Sequence, residues 1–470
     1  MTATSQSYRY LFEGLDAQVP LLDGSQRAYI NLDNAASTPA MLTVRQTVDD
    51  FLVYYSSVHR GTGFKSQLST QAYEQSRQTV LAFVGANPDE YVCIFGKNTT
   101  EAVNKLARRY LITPQRNVVL VSLMEHHSND LPWRNVAEVV RVQVNPDGSL
   151  DEADFDRKLE KYASRLALVS ISGASNVTGT INPIYRLAEK AHAAGVQIAV
   201  DCAQLAPHRQ IIMGALADQS HLDYVMLSGH KMYAPFGTGA LIGRRDTFER
   251  GEPDMRGGGE IEIVTVDEVV WSMPPERDEA GSPNTVGAVA LAAAIRQLEK
   301  VGMDNVARHE AELTEYTLAG LRKINGIRLY GNPDPASAAE RLGVIPIEVD
   351  GLSHFLAAAI LGYEFGIGVR HGCFCAHPYL LNLLGFSDAE AGRVREEMLH
   401  KDRRHVPGLV RISFGLYNEI SEIDDLLEAL KRILKGHYSG KYHQEKTSGE
   451  YWPEGWKINW SDYSFMRSIQ

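Results

Sequence analysis

Three things are scarce in this sequence of 470 residues: long apolar runs, cysteine and positive charge. No apolar stretch approaches the roughly 18 residues of a membrane span, so a membrane protein is not expected. Four cysteines, two of them one residue apart, do not make a disulfide framework, and a reducing, cytoplasmic setting is the simplest expectation. Lys and Arg number 47 against 58 Asp and Glu, a formal net charge of −11. Nucleic acid and anionic membranes both require positive potential, so neither is an expected partner, and an anionic ligand must be held by local donors. Residues 1–13 show no basic region leading into an apolar core, and no secretory signal is expected. Internal repeats and low-complexity tracts are also missing.

What remains is ordinary for a folded enzyme: 44% hydrophobic and 22% charged residues. The length suggests two or three domains at about 100–200 residues each. After an arm at 1–30, apolar strand-like runs at 91–95, 118–122, 166–171, 197–201, 224–228 and 239–243 alternate with helical stretches. That alternation predicts crossover connections and a mostly parallel sheet. The texture changes after 287 to an Ala-rich helix and mixed strands and helices up to 435, read as a smaller α+β domain. An aromatic extension, 436–470, follows. Its Trp452, Trp456 and Trp460 recur every four residues, but Pro453 and Gly455 argue against a regular helix. It is read as a segment packed on its own body or across a dimer, with a substrate lid as the sharper option.

The chemistry gathers at predicted strand ends, where open α/β sheets bind ligands. The run 224–228 delivers Ser228-Gly229-His230-Lys231, and 197–201 delivers Asp201 with Gln204 close behind. A lysine able to form a Schiff base and a carboxylate able to keep a pyridine nitrogen protonated are what pyridoxal phosphate asks of a protein. Gln204 can face the ring oxygen. The segment 96–101, with Thr99 and Thr100, predicts a helix start whose N–H and hydroxyl groups suit a phosphate. His126 and His127 follow the strand ending at 122, placing an imidazole for stacking on the cofactor ring.

The stretch His371-Gly372-Cys373-Phe374-Cys375-Ala376-His377 has several readings. Alternating histidine and cysteine suggest zinc, yet in an extended chain residues two apart lie about 6.5–7 Å from one another, too far for neighbouring ligands of one tetrahedral ion. A tightly curled loop could still bring them together, but no metal is assigned. A reactive thiol beside Arg370, whose cation favours thiolate, is the preferred reading. Two thiols share this stretch, and a polysulfide or redox link between them stays open, as does the choice of nucleophile.

Taken together, Leu32-Asp33-Asn34-Ala35-Ala36-Ser37, Thr99-Thr100-Glu101, Met124-Glu125-His126-His127, Asp201-Cys202-Ala203-Gln204, Ser228-Gly229-His230-Lys231, Gly281-Ser282-Pro283-Asn284-Thr285 and Val369-Arg370-His371-Gly372 resemble the class V aminotransferase family of fold-type I pyridoxal-phosphate enzymes. Within it, the similarity is greatest to Suf-type cysteine desulfurases and selenocysteine lyases. The resemblance implies an α/β fold with a large domain at 31–287, built on a mostly parallel seven-stranded sheet, and a small α+β domain at 288–435. It implies Lys231 as the Schiff-base lysine, Asp201 at the ring nitrogen, Gln204 at the ring oxygen and His126 stacked on the ring. Phosphate contacts are implied for Thr99, Thr100, Ser228 and His230, with Ser282 contributing from a partner subunit. Ala35, Asn176, Arg370 and Arg411 fall at the substrate, a small amino acid, and Cys375 matches the sulfur-accepting nucleophile. A homodimer with shared active sites is implied, and a sulfur-acceptor protein is a further expected partner. Other members are aminotransferases, lyases or epimerases on other amino acids, which is the alternative reading.

Overall fold

A computed structural model describes residues 7–459 and Ser461. The Trp460 position of the tryptophan series lies outside the described residues. Among the described residues no helix is long and apolar enough to cross a membrane.

Seven strands form the central sheet: β1 (Tyr91–Gly96), β2 (Val118–Ser122), β3 (Glu138–Val142), β4 (Leu166–Ser172), β5 (Gln197–Asp201), β6 (Tyr224–Ser228) and β7 (Gly239–Arg244). Their spatial order is β1-β7-β6-β5-β4-β2-β3. Only β7 runs antiparallel to its neighbours. β2, β4 and β6 are buried at every residue and read as continuous apolar runs, the signature of strands covered on both faces. The strand missing from the sequence reading is β3. It lies at the sheet edge, carries Glu138 and Arg141, and is only partly buried, so its apolar signal is diluted.

Register brings the chemical ends together. Ser228 pairs with Gly239, which also pairs with Gly96, while Asp201 pairs with Ser172 on one side and Met226 on the other. One edge of the sheet thus presents Gly96, Asp201 and Ser228 side by side. Gly239 is required there: a Cβ would lie 2.6 Å from Asn98 Cα and 2.6 Å from Leu227 O. The helices α1 (Leu42–Leu52) and α2 (Phe64–Phe83) pack against α3 (Thr285–Val301), and the small apolar face of α3, from Ala288 to Leu298, joins the same core.

A second core surrounds a four-stranded antiparallel sheet ordered Ile327–Leu329, Val344–Val349, Leu409–Ser413, Arg370–Gly372. Ile30–Asn31 pairs in parallel with Ile367–Gly368, and Ile30 and Leu32 belong to this core. The segment that ends in Ala35 is thereby tied to the same body as Arg370 and Arg411. The charged stretch after 385 is a solvated helix, Asp388–Leu399, opened by a Ser387/Glu390 capping box and burying no residue. The C-terminal extension forms a hairpin, Tyr442–Gln444 with Tyr451–Pro453, rather than a helix. Glu364 anchors it by accepting from the N–H groups of Ser439 and Gly440 and from Tyr442 Oη, and Trp452 and Trp456 lie against Tyr363.

Candidate active site

A cleft at the chemical edge of the large sheet is lined by thirteen of the residues singled out in the sequence: Ala35, Thr99, Thr100, His126, Asn176, Asp201, Gln204, Ser228, His230, Lys231, Arg370, Cys375 and Arg411. Ser282 is not among them. It is exposed and lines a separate depression with His59, Arg60 and Gly258.

Lys231 sits at the end of a single 3-10 turn, Gly229–Lys231, directly after β6. Burial pulls its amine down to about 8, against the opposing charge of Asp201. A lysine in that range keeps a fraction of neutral amine at physiological pH, as condensation with an aldehyde requires. Burial pushes Asp201 up, with the N–H of Ala203 on its Oδ1 (2.9 Å) and Lys231 acting against burial. Among the described residues no donor reaches Oδ2. A buried carboxylate with one oxygen open to the cleft suits a protonated ring nitrogen.

The phosphate end is built on the helix Thr99–Arg109. Asn98 caps it by accepting from Glu101 N, and the main-chain N–H of Thr99 is tied to Ser228 Oγ at 2.9 Å. Ser228 Oγ in turn donates to Thr99 Oγ1 (2.9 Å), so strand end and helix start form one hydroxyl-rich corner. Thr100 Oγ1 meets Ser128 Oγ at 2.6 Å. His126 Nδ1 accepts from Ser128 N (3.1 Å), which places the ring hydrogen on Nε2. Burial, reinforced by Lys231, His127 and Arg411, holds this imidazole neutral, pushed down to about 3. Gln204 Nε2 donates to Ala35 O at 2.6 Å, tying the two bodies together behind the cleft. The lysine, the half-free carboxylate, the neutral imidazole and the helix start together fit pyridoxal phosphate: Lys231 for its aldehyde, Asp201 for its nitrogen, Thr100, Ser228 and His230 for its phosphate.

The opposite wall holds two arginines, Arg411 and Arg370. Arg411 is buried, bonded through Nη1 to Asn176 O (2.9 Å) and paired through Nη2 with Asp33 Oδ1 (3.1 Å), while its Nε is buried without a hydrogen-bond partner. Arg370 is its direct cross-strand neighbour, with Asp33 3.9 Å away. Two like charges opposite one another destabilise a strand pair, and Asp33 offsets them. A substrate carboxylate would answer the orphaned Nε and add a second counter-ion.

Cys375 faces this wall. The segment is not extended: Phe374 and Cys375 both have left-handed φ, 54° and 55°. Asn176 Nδ2 donates to Phe374 O (2.7 Å), His127 N donates to Cys375 O (2.7 Å), and the Phe374 ring lies 4.8 Å from the Arg411 guanidinium. Asp33, Asn98, Ser128 and Phe374 were missed as site residues. The first three act through main-chain or second-partner contacts that no spacing rule records, whereas Phe374 gave a signal only by sitting between two cysteines.

The aminotransferase class-V family profile matches residues 30–426. A protein named probable cysteine desulfurase from Halalkalibacterium halodurans is 33% identical over 430 residues, covering 90% of this chain and 96% of that one. A cysteine desulfurase from Serratia proteamaculans is 33% identical over 436 residues, covering 90% and 98%. Among solved structures, the apo cysteine desulfurase of Thermococcus onnurineus NA1 superposes with a TM-score of 0.75 at 32% identity, covering 87% of this chain and 95% of that chain. The cysteine desulfurase CsdA of Escherichia coli in its S-sulfonic acid form gives 0.72 at 28% identity, covering 91% and 98%.

Proposed function

The chain belongs to the class-V aminotransferase family of pyridoxal-phosphate enzymes, and from that premise we propose that it is a cysteine desulfurase, taking sulfur from L-cysteine, or selenium from L-selenocysteine, and releasing L-alanine. The observation that carries this reading is the placement of Cys375, an exposed thiol on the wall of the cleft that holds Lys231 and Arg411. An aminotransferase needs no thiol there.

Bound pyridoxal phosphate supplies an electron sink for the substrate Cα. Arg411, through its unpartnered Nε, fixes the substrate carboxylate, with Arg370 at the more exposed side. Lys231 Nζ, as a free amine, would take the Cα proton and return one later. His126, held neutral, would lie against the cofactor ring. Cys375, as thiolate, attacks the substrate sulfur. The overall step balances as L-cysteine plus the Cys375 thiol giving L-alanine plus a Cys375 persulfide. Arg370 lines the same cleft as Cys375.

We extend the proposal to a homodimer in a cytoplasmic setting. The hairpin Ile261–Val264 and Val269–Trp271 leaves Ile263, Val264, Val269 and Val270 exposed, an apolar surface that a second copy would cover. Ser282, outside the cleft of its own chain, would serve the partner's phosphate. A sulfur-acceptor protein would collect the persulfide at the exposed thiol.

Incubation of the loaded enzyme with L-cysteine, L-selenocysteine, cystine and common amino acids, with a reductant, tests the substrate. Alanine and sulfide from cysteine are expected, whereas keto acid without sulfide points to transamination. Cys375→Ser is expected to abolish sulfide production, and full activity in that variant removes the nucleophile assignment.

A further inference from the structure

The turn that carries Cys375 carries a second thiol one residue away. Ala376 N donates to Cys373 O at 3.0 Å, closing a four-residue turn whose two central residues, Phe374 and Cys375, are both left-handed. This is the mirror-image turn normally given to glycine and asparagine, a conformation in which a side chain is strained. The left-handed residue between the cysteines bends the chain, so their Cα atoms lie closer than the roughly 6.5–7 Å of an extended chain, toward the roughly 4.4–6.8 Å usual for a disulfide. The two thiols differ in environment. Cys375 is exposed on the cleft, whereas Cys373 is half-buried behind it and packs on the main core. Burial pushes the Cys373 thiol up, while main-chain N–H groups, that of Cys375 foremost, act against burial.

We propose that Cys373 and Cys375 form a resolving pair, in which Cys373 displaces the sulfur loaded on Cys375 as sulfide and closes a disulfide across the turn. This rests on the desulfurase reading above. The Cys373 Sγ–Cys375 Sγ bond forms and the bond from Cys375 Sγ to the outer sulfur breaks. The electron pair of that bond and the Cys373 proton leave with the outer sulfur as hydrogen sulfide. The two cysteines are oxidised and the outer sulfur is reduced, so closure itself needs no external oxidant. Reopening needs a thiol reductant, either a small dithiol or a protein dithiol. Where no acceptor protein takes the sulfur first, the enzyme would then deliver free sulfide under reducing conditions and stop after one turnover without a reductant.

The test is a single turnover of the loaded enzyme on L-cysteine without reductant, followed by intact mass, alanine and sulfide measurements. The wild type is expected to yield one alanine and one sulfide per site and to end two hydrogens lighter. Cys373→Ser is expected to retain one extra sulfur and release no sulfide. Alanine with a stable extra sulfur on the wild type overturns the resolving pair and leaves desulfuration standing, whereas no alanine overturns the desulfurase reading. A second arm needs no turnover: cofactor-free protein is loaded on Cys375 with inorganic polysulfide and mapped by peptide mass. A Cys373–Cys375 disulfide is expected in the wild type, and a persistent Cys375 persulfide overturns the proposal whatever the outcome of the first arm.

Discussion

The lysine turn and the cysteine turn face each other across one cleft and are held by different means. Lys231 follows a fully buried strand, and its turn is closed locally: Met232 N and Ala234 N both donate to Gly229 O, and Gly229 N donates to Thr238 O in the adjoining strand entry. Cys375 follows a three-residue edge strand, and its turn is held from far away in sequence, by His127 N on Cys375 O and Asn176 Nδ2 on Phe374 O. Behind it, the tail hairpin reaches the same edge strand through Glu450, 3.2 Å from His371 Nε2. The cofactor side is therefore part of the sheet, while the thiol side is a strained loop leaning on it.

That contrast can be broken most severely from the lysine side. Lys231→Ala is expected to lower turnover by at least about a thousandfold and to remove the visible absorbance of the cofactor-linked lysine, both read on freshly loaded protein. An unchanged spectrum would remove the Schiff-base assignment. Next in size is Arg411→Lys, which keeps the charge and loses the fork. A rise in KM of about 10–100-fold is expected, with kcat less affected, in steady-state assays on cysteine.

Acidification sharpens the comparison at the small-domain wall. Burial pushes His354 down to about 4, and pushes His371 down to about 4 as well. Their folded values lie below the unfolded value near 6.5, so the unfolded chain binds more protons between about pH 6.5 and 4. The stability they contribute is complete above that window and is lost as pH falls through it. The melting temperature is expected to drop by several degrees from pH 6.5 to 4, and His354→Gln should flatten part of that slope. The smallest effect is assigned to Glu450→Gln. With His371 neutral at assay pH its contact with Glu450 is not an ion pair, so a less than twofold change in activity is expected, with faster alkylation of Cys375 if the tail steadies the cysteine turn.

The same contrast explains what could be read from the sequence. Asp201, Ser228 and Lys231 end or follow buried strands, so an apolar run followed by a polar residue announced them. Thr99 and Thr100 were legible as a helix start because Asn98 and Glu101 flank them. The cysteine turn had no such local code. Its left-handed φ falls on Phe374 and Cys375, residues that carry no turn signal, because contacts from residues 127 and 176 impose it. The tail hairpin was equally silent: Pro453 and Gly455 told against a helix over the tryptophans spaced by four, but the alternation in Tyr442–Gln444 and Tyr451–Pro453 was too short to register as strands.

The antiparallel strand β7 has a consequence for synthesis. β1 stands at the sheet edge with β7 as its neighbour, and the helix start at Asn98 is seated against Gly239. During translation, then, the apolar stretch Val92, Cys93, Ile94 and Phe95 leaves the ribosome well before the strand that pairs with it. At about 5–20 residues per second the wait is on the order of ten seconds. Through that interval the nascent chain exposes an unpaired strand with aggregation potential, and the phosphate-binding corner is completed only when Gly239 emerges. Slow translation ahead of residue 239, or early capture of 91–96 by a chaperone, is the point at which yield of this protein would be decided.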